Sequence, residues 1–253
     1  MKFPVISILW LVCMVSSGNL SNQASELSVF LIGDSTMADK PGTSEVNPER
    51  GWGQIFKTYF DDRVHVENHA VNGRSSKSFI DEGRWDTVVA RLQPGDYVFI
   101  QFGHNDEKVL DPNRYTNPYT GYRYNLRRFV EDSRAKGATP VLLSSIVRRQ
   151  FNEQGTLVDT HGAYPMICRL LASEMKVVFI DMQWLTEQVV SELGPEDSKQ
   201  LYLWVPAHTY AAFPDGKQDD THLNPVGADR FARLVVQQIR SLDLPLQDYL
   251  AID

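Results

Sequence analysis

Two short apolar runs constrain this chain most. Leu27–Ile32 and Tyr97–Phe102 are too short for buried helices, and each passes directly into a dense polar turn, Gly33-Asp34-Ser35-Thr36 and Gly103-His104-Asn105-Asp106. Near-continuous apolar runs of this length belong to strands covered on both faces, as in parallel sheets flanked by helices. Thr139–Val147 and Lys176–Ile180 read as two more such strands, and Val64–His69 as a shorter, alternating one. Pro140 is tolerable because it stands at a strand's start.

Helical spacing fills the intervals. Trp52, Ile55, Phe56, Tyr59 and Phe60 recur on one face of Gly51–Phe60. Asp86–Leu92 predicts a short helix, and Thr120–Lys136 a long one stopped by Gly137. Tyr164–Met175 follows, with Ile167, Leu170 and Leu171 expected inward, then Trp184–Leu193. Asn224-Pro225 opens a last helix bearing Phe231, Leu234, Val235 and Ile239. Strand and helix alternate throughout, so the expected fold is a three-layer α/β/α sandwich on a mostly parallel five-stranded sheet. Gly194–Lys217 is expected to be irregular, a functional loop or a small insertion rather than a connector.

The N-terminus reads as an export leader. Lys2 precedes an apolar run from Phe3 to Val15 and the small segment Ser16-Ser17-Gly18, a run shorter than the roughly 18 residues of a spanning helix. Cleavage near residue 24 would leave one domain over residues 25–253, periplasmic or extracellular and without membrane insertion. A lipid anchor at Cys13 is the competing reading, but Trp10-Leu11-Val12 lacks the small residues such a site needs. Leader removal leaves Cys168 alone, so no internal disulfide can form and the core must hold the fold. With 32 acidic against 25 basic side chains and a net charge of −7, the chain is a poor partner for nucleic acid or an anionic membrane.

The polar turns supply the parts of serine-based acyl transfer: a hydroxyl, a base, a carboxylate to orient the base, and donors for an oxyanion. Ser35 is the hydroxyl, His222 the base, and Asp219 the orienting group, with Asp220 its rival. The N–H groups of Ser35 and Gly73 and the amide of Asn105 are the oxyanion donors. His104 is either a second base or a structural hydrogen-bonding ring, and Asp34 a turn-fixing carboxylate. Gly-x-Ser-x-Gly is absent around Ser35, which argues against an ordinary α/β-hydrolase elbow.

Gly33-Asp34-Ser35-Thr36, Asn72-Gly73-Arg74-Ser75, Gly103-His104-Asn105-Asp106 and Asp219-x-x-His222 resemble, in order, the four signature blocks of the SGNH (GDSL) hydrolases. With Gly51-Trp52-Gly53 added, the pattern is similar to that of rhamnogalacturonan acetylesterases. The resemblance implies a flavodoxin-like sheet, no metal or other cofactor, and the same roles for Ser35, Gly73, Asn105, Asp219 and His222. It also implies an acetylated polysaccharide as substrate. Acetylxylan and short-chain lipase or thioesterase activities on the same scaffold are the alternatives, and a non-catalytic carbohydrate-binding protein is a third.

An anionic glycan would require local positive charge. Arg74, Lys77, Arg84, Arg148 and Arg149 are suitably placed, or else are solvated surface charges. Tyr202, Trp204, His208, Tyr210 and Phe213 could stack on sugars or simply hold their loop down. From these groups and the polar turns, Arg74, His104, Arg148, Trp204 and Tyr210 form the expected substrate-binding set.

Overall fold

The computed structural model describes residues 27–251. The expected leader lies outside them. Five parallel strands form the main sheet: β1 (Leu27–Gly33), β2 (Val64–Asn68), β3 (Tyr97–Gln101), β4 (Thr139–Leu143) and β5 (Val178–Ile180). Their spatial order, β2-β1-β3-β4-β5, is the flavodoxin-like one. The strand order reverses between β1 and β3, and the loops leaving these two strands part to opposite sides of a crevice. The Ser35 and Asn105 turns flank that crevice.

Alternation along the buried strands divides the core. Val29, Leu31, Phe99, Val141 and Leu143 face helices α1 (Trp52–Phe56), α6 (Met182–Asp197) and α7 (Pro225–Ser241). Phe30, Ile32, Val98, Ile100 and Leu142 face α2 (Ser76–Asp81), α3 (Arg84–Val89), α4 (Arg123–Ala135) and α5 (Tyr164–Met175). This is the expected three-layer sandwich. Asn224 caps α7 by accepting from Gly227 N–H at 3.0 Å. Gly137 ends α4 at φ +77°.

Several sequence expectations need correction. Helix α2 lies in a stretch with no assigned element. Its starting signal is a capping box in which Ser78, rather than Glu or Gln, reciprocates Ser75. Leu170 is 56% exposed because the buried stripe of α5 runs through Tyr164, Ile167, Cys168, Leu171 and Ala172, leaving position 170 outside it. The fourth strand stops at Leu143 rather than Val147, because its neighbour β5 ends at Ile180 in register with Leu143. The stretch read as an irregular loop contains β6 (Tyr202–Val205), which pairs antiparallel with β7 (Lys217–Leu223).

The Gly51-Trp52-Gly53 segment ties α1 to the turn beyond β1. A Cβ on Gly53 would stand 2.6 Å from the Met37 carbonyl oxygen, and one on Gly51 would meet the same backbone even more closely. Trp52, fully buried, donates its Nε1–H to Gln101 Oε1 at 2.8 Å. Gln101 Nε2 in turn donates to Thr36 Oγ1 at 3.1 Å. Replacing Gly53 by Ala should lower stability by about 1–3 kcal/mol, because the nearest obstructing atom is a backbone oxygen that cannot rotate away. Urea unfolding measures this, and an unchanged midpoint would contradict the packing described.

Candidate active site

Asp34 sets the turn that carries Ser35. One carboxylate oxygen accepts from Thr36 N–H at 2.9 Å and from Thr36 Oγ1 at 2.8 Å, while the Asp34 carbonyl accepts from the N–H groups of Met37 and Ala38. The other oxygen lies 3.3 Å from His104 Nδ1. Burial acts to raise the Asp34 pKa, but His104 and the Thr36 donors outweigh it and hold the carboxyl at about 2. Asp34 is thus an ionised anchor beneath the serine.

The histidine arrives from the opposite wall on a bulge. Tyr202 pairs with Leu223, yet the next residue, Leu203, pairs with Asp219, so Asp220, Thr221 and His222 are extruded from β7. The Asp219 carboxylate closes the bulge by accepting the N–H groups of Thr221 and His222, both at 2.9 Å. Its second oxygen is 2.9 Å from His222 Nδ1, and His222 Nε2 is 2.9 Å from Ser35 Oγ. Nδ1–H donates to the carboxylate, so Nε2 is left to accept the serine proton. Burial opposes ionisation of Asp219, but the His222 ring and these N–H donors hold the carboxyl well below the usual range. Hydroxyl, imidazole and carboxylate stand in line, as proton transfer from an attacking serine requires.

Asp220 is occupied elsewhere. Its carboxylate accepts from Arg149 Nε at 2.6 Å and Trp204 Nε1 at 2.7 Å, and its carbonyl from Arg149 N–H at 2.8 Å. The rivalry with Asp219 is thereby resolved in favour of Asp219. Arg149 is also not a substrate cation, since it is buried and clamps the bulge.

The other expected donors face the same cleft, which has a volume of about 480 Å³. Gly73 adopts φ +76°, open to glycine at no steric cost, and lines the cleft beside Ser35 and Asn105. Asn105 Nδ2 donates to the Arg74 carbonyl at 3.1 Å, which leaves its second amide hydrogen for a ligand. The Gly73 and Asn105 turns are joined by fully buried Asp106, whose carboxylate accepts Ser76 N–H and the hydroxyls of Ser76 and Thr116. Burial pushes this carboxyl up to about 7 despite those donors.

The expected substrate contacts divide. His104 and Arg148 line the cleft, Arg148 being paired with Glu107. Three others do not. The Arg74 guanidinium turns to Glu82 at 3.1 Å. The Trp204 ring packs against Arg149 and Lys199, at 4.8 and 4.5 Å from its centroid, and does not line the cleft. Tyr210 is bridged to Phe213 outside the cleft. Tyr202 is fully buried and donates its hydroxyl to the Val147 carbonyl at 2.7 Å. Hydropathy could not separate these aromatics, because Tyr202 and Trp204 stand on a strand that the sequence did not announce.

Some contributors were missed. Glu49, Asn72, Lys108 and Thr221 also line the cleft. Arg114 Nη1 approaches Asn105 Oδ1 at 3.4 Å and fixes which end of the amide faces inward. Asn72 and Thr221 lie within recognised blocks and could have been found there. Nothing in the sequence marks Arg114. Among the described residues no group of three or more His, Cys, Asp or Glu side chains could hold a metal, and no helix is long and apolar enough to cross a membrane.

Comparison with known proteins agrees with this geometry. The GDSL-like Lipase/Acylhydrolase family model matches residues 31–230. The chain is 42% identical over 88% of its length to the rhamnogalacturonan acetylesterase RhgT of Bacillus subtilis, covering 94% of that protein. It is 31% identical over 88% of its length to the rhamnogalacturonan acetylesterase of Emericella nidulans, covering 90% of it. Among solved structures, Bacillus subtilis YxiM superposes with a TM-score of 0.71 at 26% identity, over 87% of this chain and 58% of that one. Axe2, an acetylxylan esterase from Geobacillus stearothermophilus, shares the fold with a TM-score of 0.58 at 18% identity, over 85% of this chain and 94% of that one. The chain belongs to the GDSL-like lipase/acylhydrolase family. It is a carboxylic ester hydrolase.

His104 offers a direct check on the electrostatics of the site. Burial drives its imidazole down to about 4, against the partial support of Asp34. Its ring resonances should therefore stay constant from about pH 8 to roughly pH 5.5 and titrate near 4 by NMR. Because the folded value lies below that of the unfolded chain, roughly 6.5, this ring's contribution to stability is complete above that pH and is lost as pH falls towards 4. A midpoint above 6 would mean that burial does not outweigh the support of Asp34.

Proposed function

We propose that this protein removes O-acetyl groups from rhamnogalacturonan through an acetyl-enzyme on Ser35. The observation that carries the reading is the serine–histidine–aspartate relay at the base of an open cleft that no large apolar side chain lines. A long acyl chain would find no channel of apolar side chains there, whereas a hydroxylated sugar would find donors and acceptors. The acyl group is accordingly small and the leaving group a carbohydrate. The similarity to RhgT supports the choice of rhamnogalacturonan over acetylxylan, for which Axe2 offers only a shared fold. A polymer of this kind is reached outside the cell, in keeping with residues 1–24 acting as an export leader.

In this scheme Ser35 Oγ attacks the acetyl carbonyl carbon while His222 Nε2 takes the hydroxyl proton. The oxyanion is held by Ser35 N–H, Gly73 N–H and the second hydrogen of Asn105 Nδ2. As the carbon–oxygen bond to the sugar breaks, His222 returns the proton to the sugar oxygen. Water then attacks the acetyl-serine carbonyl, giving its proton to His222, and the collapse of the second tetrahedral intermediate returns that proton to Ser35 and frees acetate.

Acetate release from acetylated rhamnogalacturonan, acetylated homogalacturonan and acetylated xylan tests the proposal. Release should be greatest from the first and abolished by Ser35→Ala. Asn105→Ala should lower kcat by about 10²–10³. Release from xylan alone would shift the substrate, and activity confined to long-chain esters would overturn the acetylesterase reading.

A further inference from the structure

Of the two cations lining the catalytic cleft, Arg148 is neutralised by Glu107. Lys108 is not. Among the described residues no carboxylate stands within ion-pair distance of its ammonium group, and its side chain is exposed. Burial and the positive charges of Arg114 and Arg148 lower the Lys108 pKa, against the opposing charges of Asp111 and Asp34. In a protein of net charge −7, the cleft that holds Ser35 therefore carries one cation with no counter-ion.

Lys108 also stands on a ridge. It lines the catalytic cleft on one side and, on the other, a second groove of about 410 Å³. Val109 and Leu110, 66% and 95% exposed, contribute an apolar edge to that groove. The backbone of the ridge is fixed by its turn, in which Glu107 N–H donates to Gly103 O at 3.1 Å and Lys108 N–H to Asn105 O at 3.3 Å. The lysine is thus carried on the same turn as the oxyanion donor Asn105, at a constant offset from the reacting carbonyl.

We infer that Lys108 forms a carboxylate subsite that takes a uronate of the bound glycan, with the glycan continuing over the Val109–Leu110 edge. The inference rests on the proposed action on an acetylated anionic glycan and names the residue that distinguishes such a chain from a neutral one. A neutral polysaccharide gains nothing from an uncompensated ammonium at the cleft rim. A uronate neutralises it, in a partly exposed setting where the attraction is modest and is screened by salt.

The test uses competitive inhibition of 4-nitrophenyl acetate hydrolysis, which depends only on the ester hydrolase activity. The inhibitors are a deacetylated rhamnogalacturonan tetrasaccharide and its carboxyl methyl ester. The free acid should bind the wild-type protein about tenfold more tightly than the methyl ester at low salt, with the preference shrinking as salt rises. In Lys108→Gln the ratio should fall towards one, and Lys108→Arg should restore it. Equal inhibition by the two forms in the wild type, or an unchanged preference in Lys108→Gln, would overturn the subsite. Failure of the proposed function would appear separately, as no acetate release from acetylated rhamnogalacturonan. The inhibition ratio would still decide the subsite.

Discussion

The buried Asp34 carboxylate, with one oxygen on Thr36 and the other against the ring of His104, is the contact on which the sheet edge depends. An ionised carboxylate removed from water costs several kcal/mol unless donors surround it. Here the donors are the N–H and hydroxyl of Thr36 in the strand-end turn, while the His104 ring from the turn beyond β3 lies 3.3 Å from the other oxygen. The two turns flanking the topological switch point are consequently coupled through one side chain. Thr36 passes the constraint on to Gln101 and Trp52, and Gly51 and Gly53 let α1 approach closely enough for that chain to close.

The opposite wall uses a different device. A regular β7 would place His222 by simple alternation, with no reason to reach across the cleft. Extruding Asp220, Thr221 and His222 breaks the alternation and aims the imidazole at Ser35. Asp219 both closes the bulge through backbone N–H groups and orients the ring, so one carboxylate fixes position and tautomer together. Arg149, held between Asp220 and the Trp204 ring, keeps the bulge from collapsing back into the ladder.

Charge is distributed unevenly over these parts. All five basic residues that sequence position favoured are absorbed by nearby acids: Arg74 and Arg84 by Glu82, Lys77 by Asp81, Arg148 by Glu107 and Arg149 by Asp220. Lys40, buried near the cleft, is held by Glu49 and Asn72. An acidic protein can neutralise its arginines cheaply in this way, which makes an unneutralised lysine at the cleft rim informative.

The sequence by itself determined the parallel sheet, because strands apolar on both faces need helices on both faces. It also determined the polar turns that hold Ser35, Gly73, Asn105, Asp219 and His222, since each lies in a short block whose residue types are chemically specific. Helix α2 escaped because serines are as much at home in turns as in caps, and β6 and β7 because their pairing is irregular and local pattern does not encode it. Leu170 was misplaced because its apolarity was read without the full stripe of α5. Only the tertiary structure decided which of two adjacent aspartates meets the histidine, which aromatics are buried and which cations are already paired. Those outcomes depend on contacts between residues far apart in the chain, such as Asp220 with Arg149 or Ser35 with His222, and no local spacing specifies them.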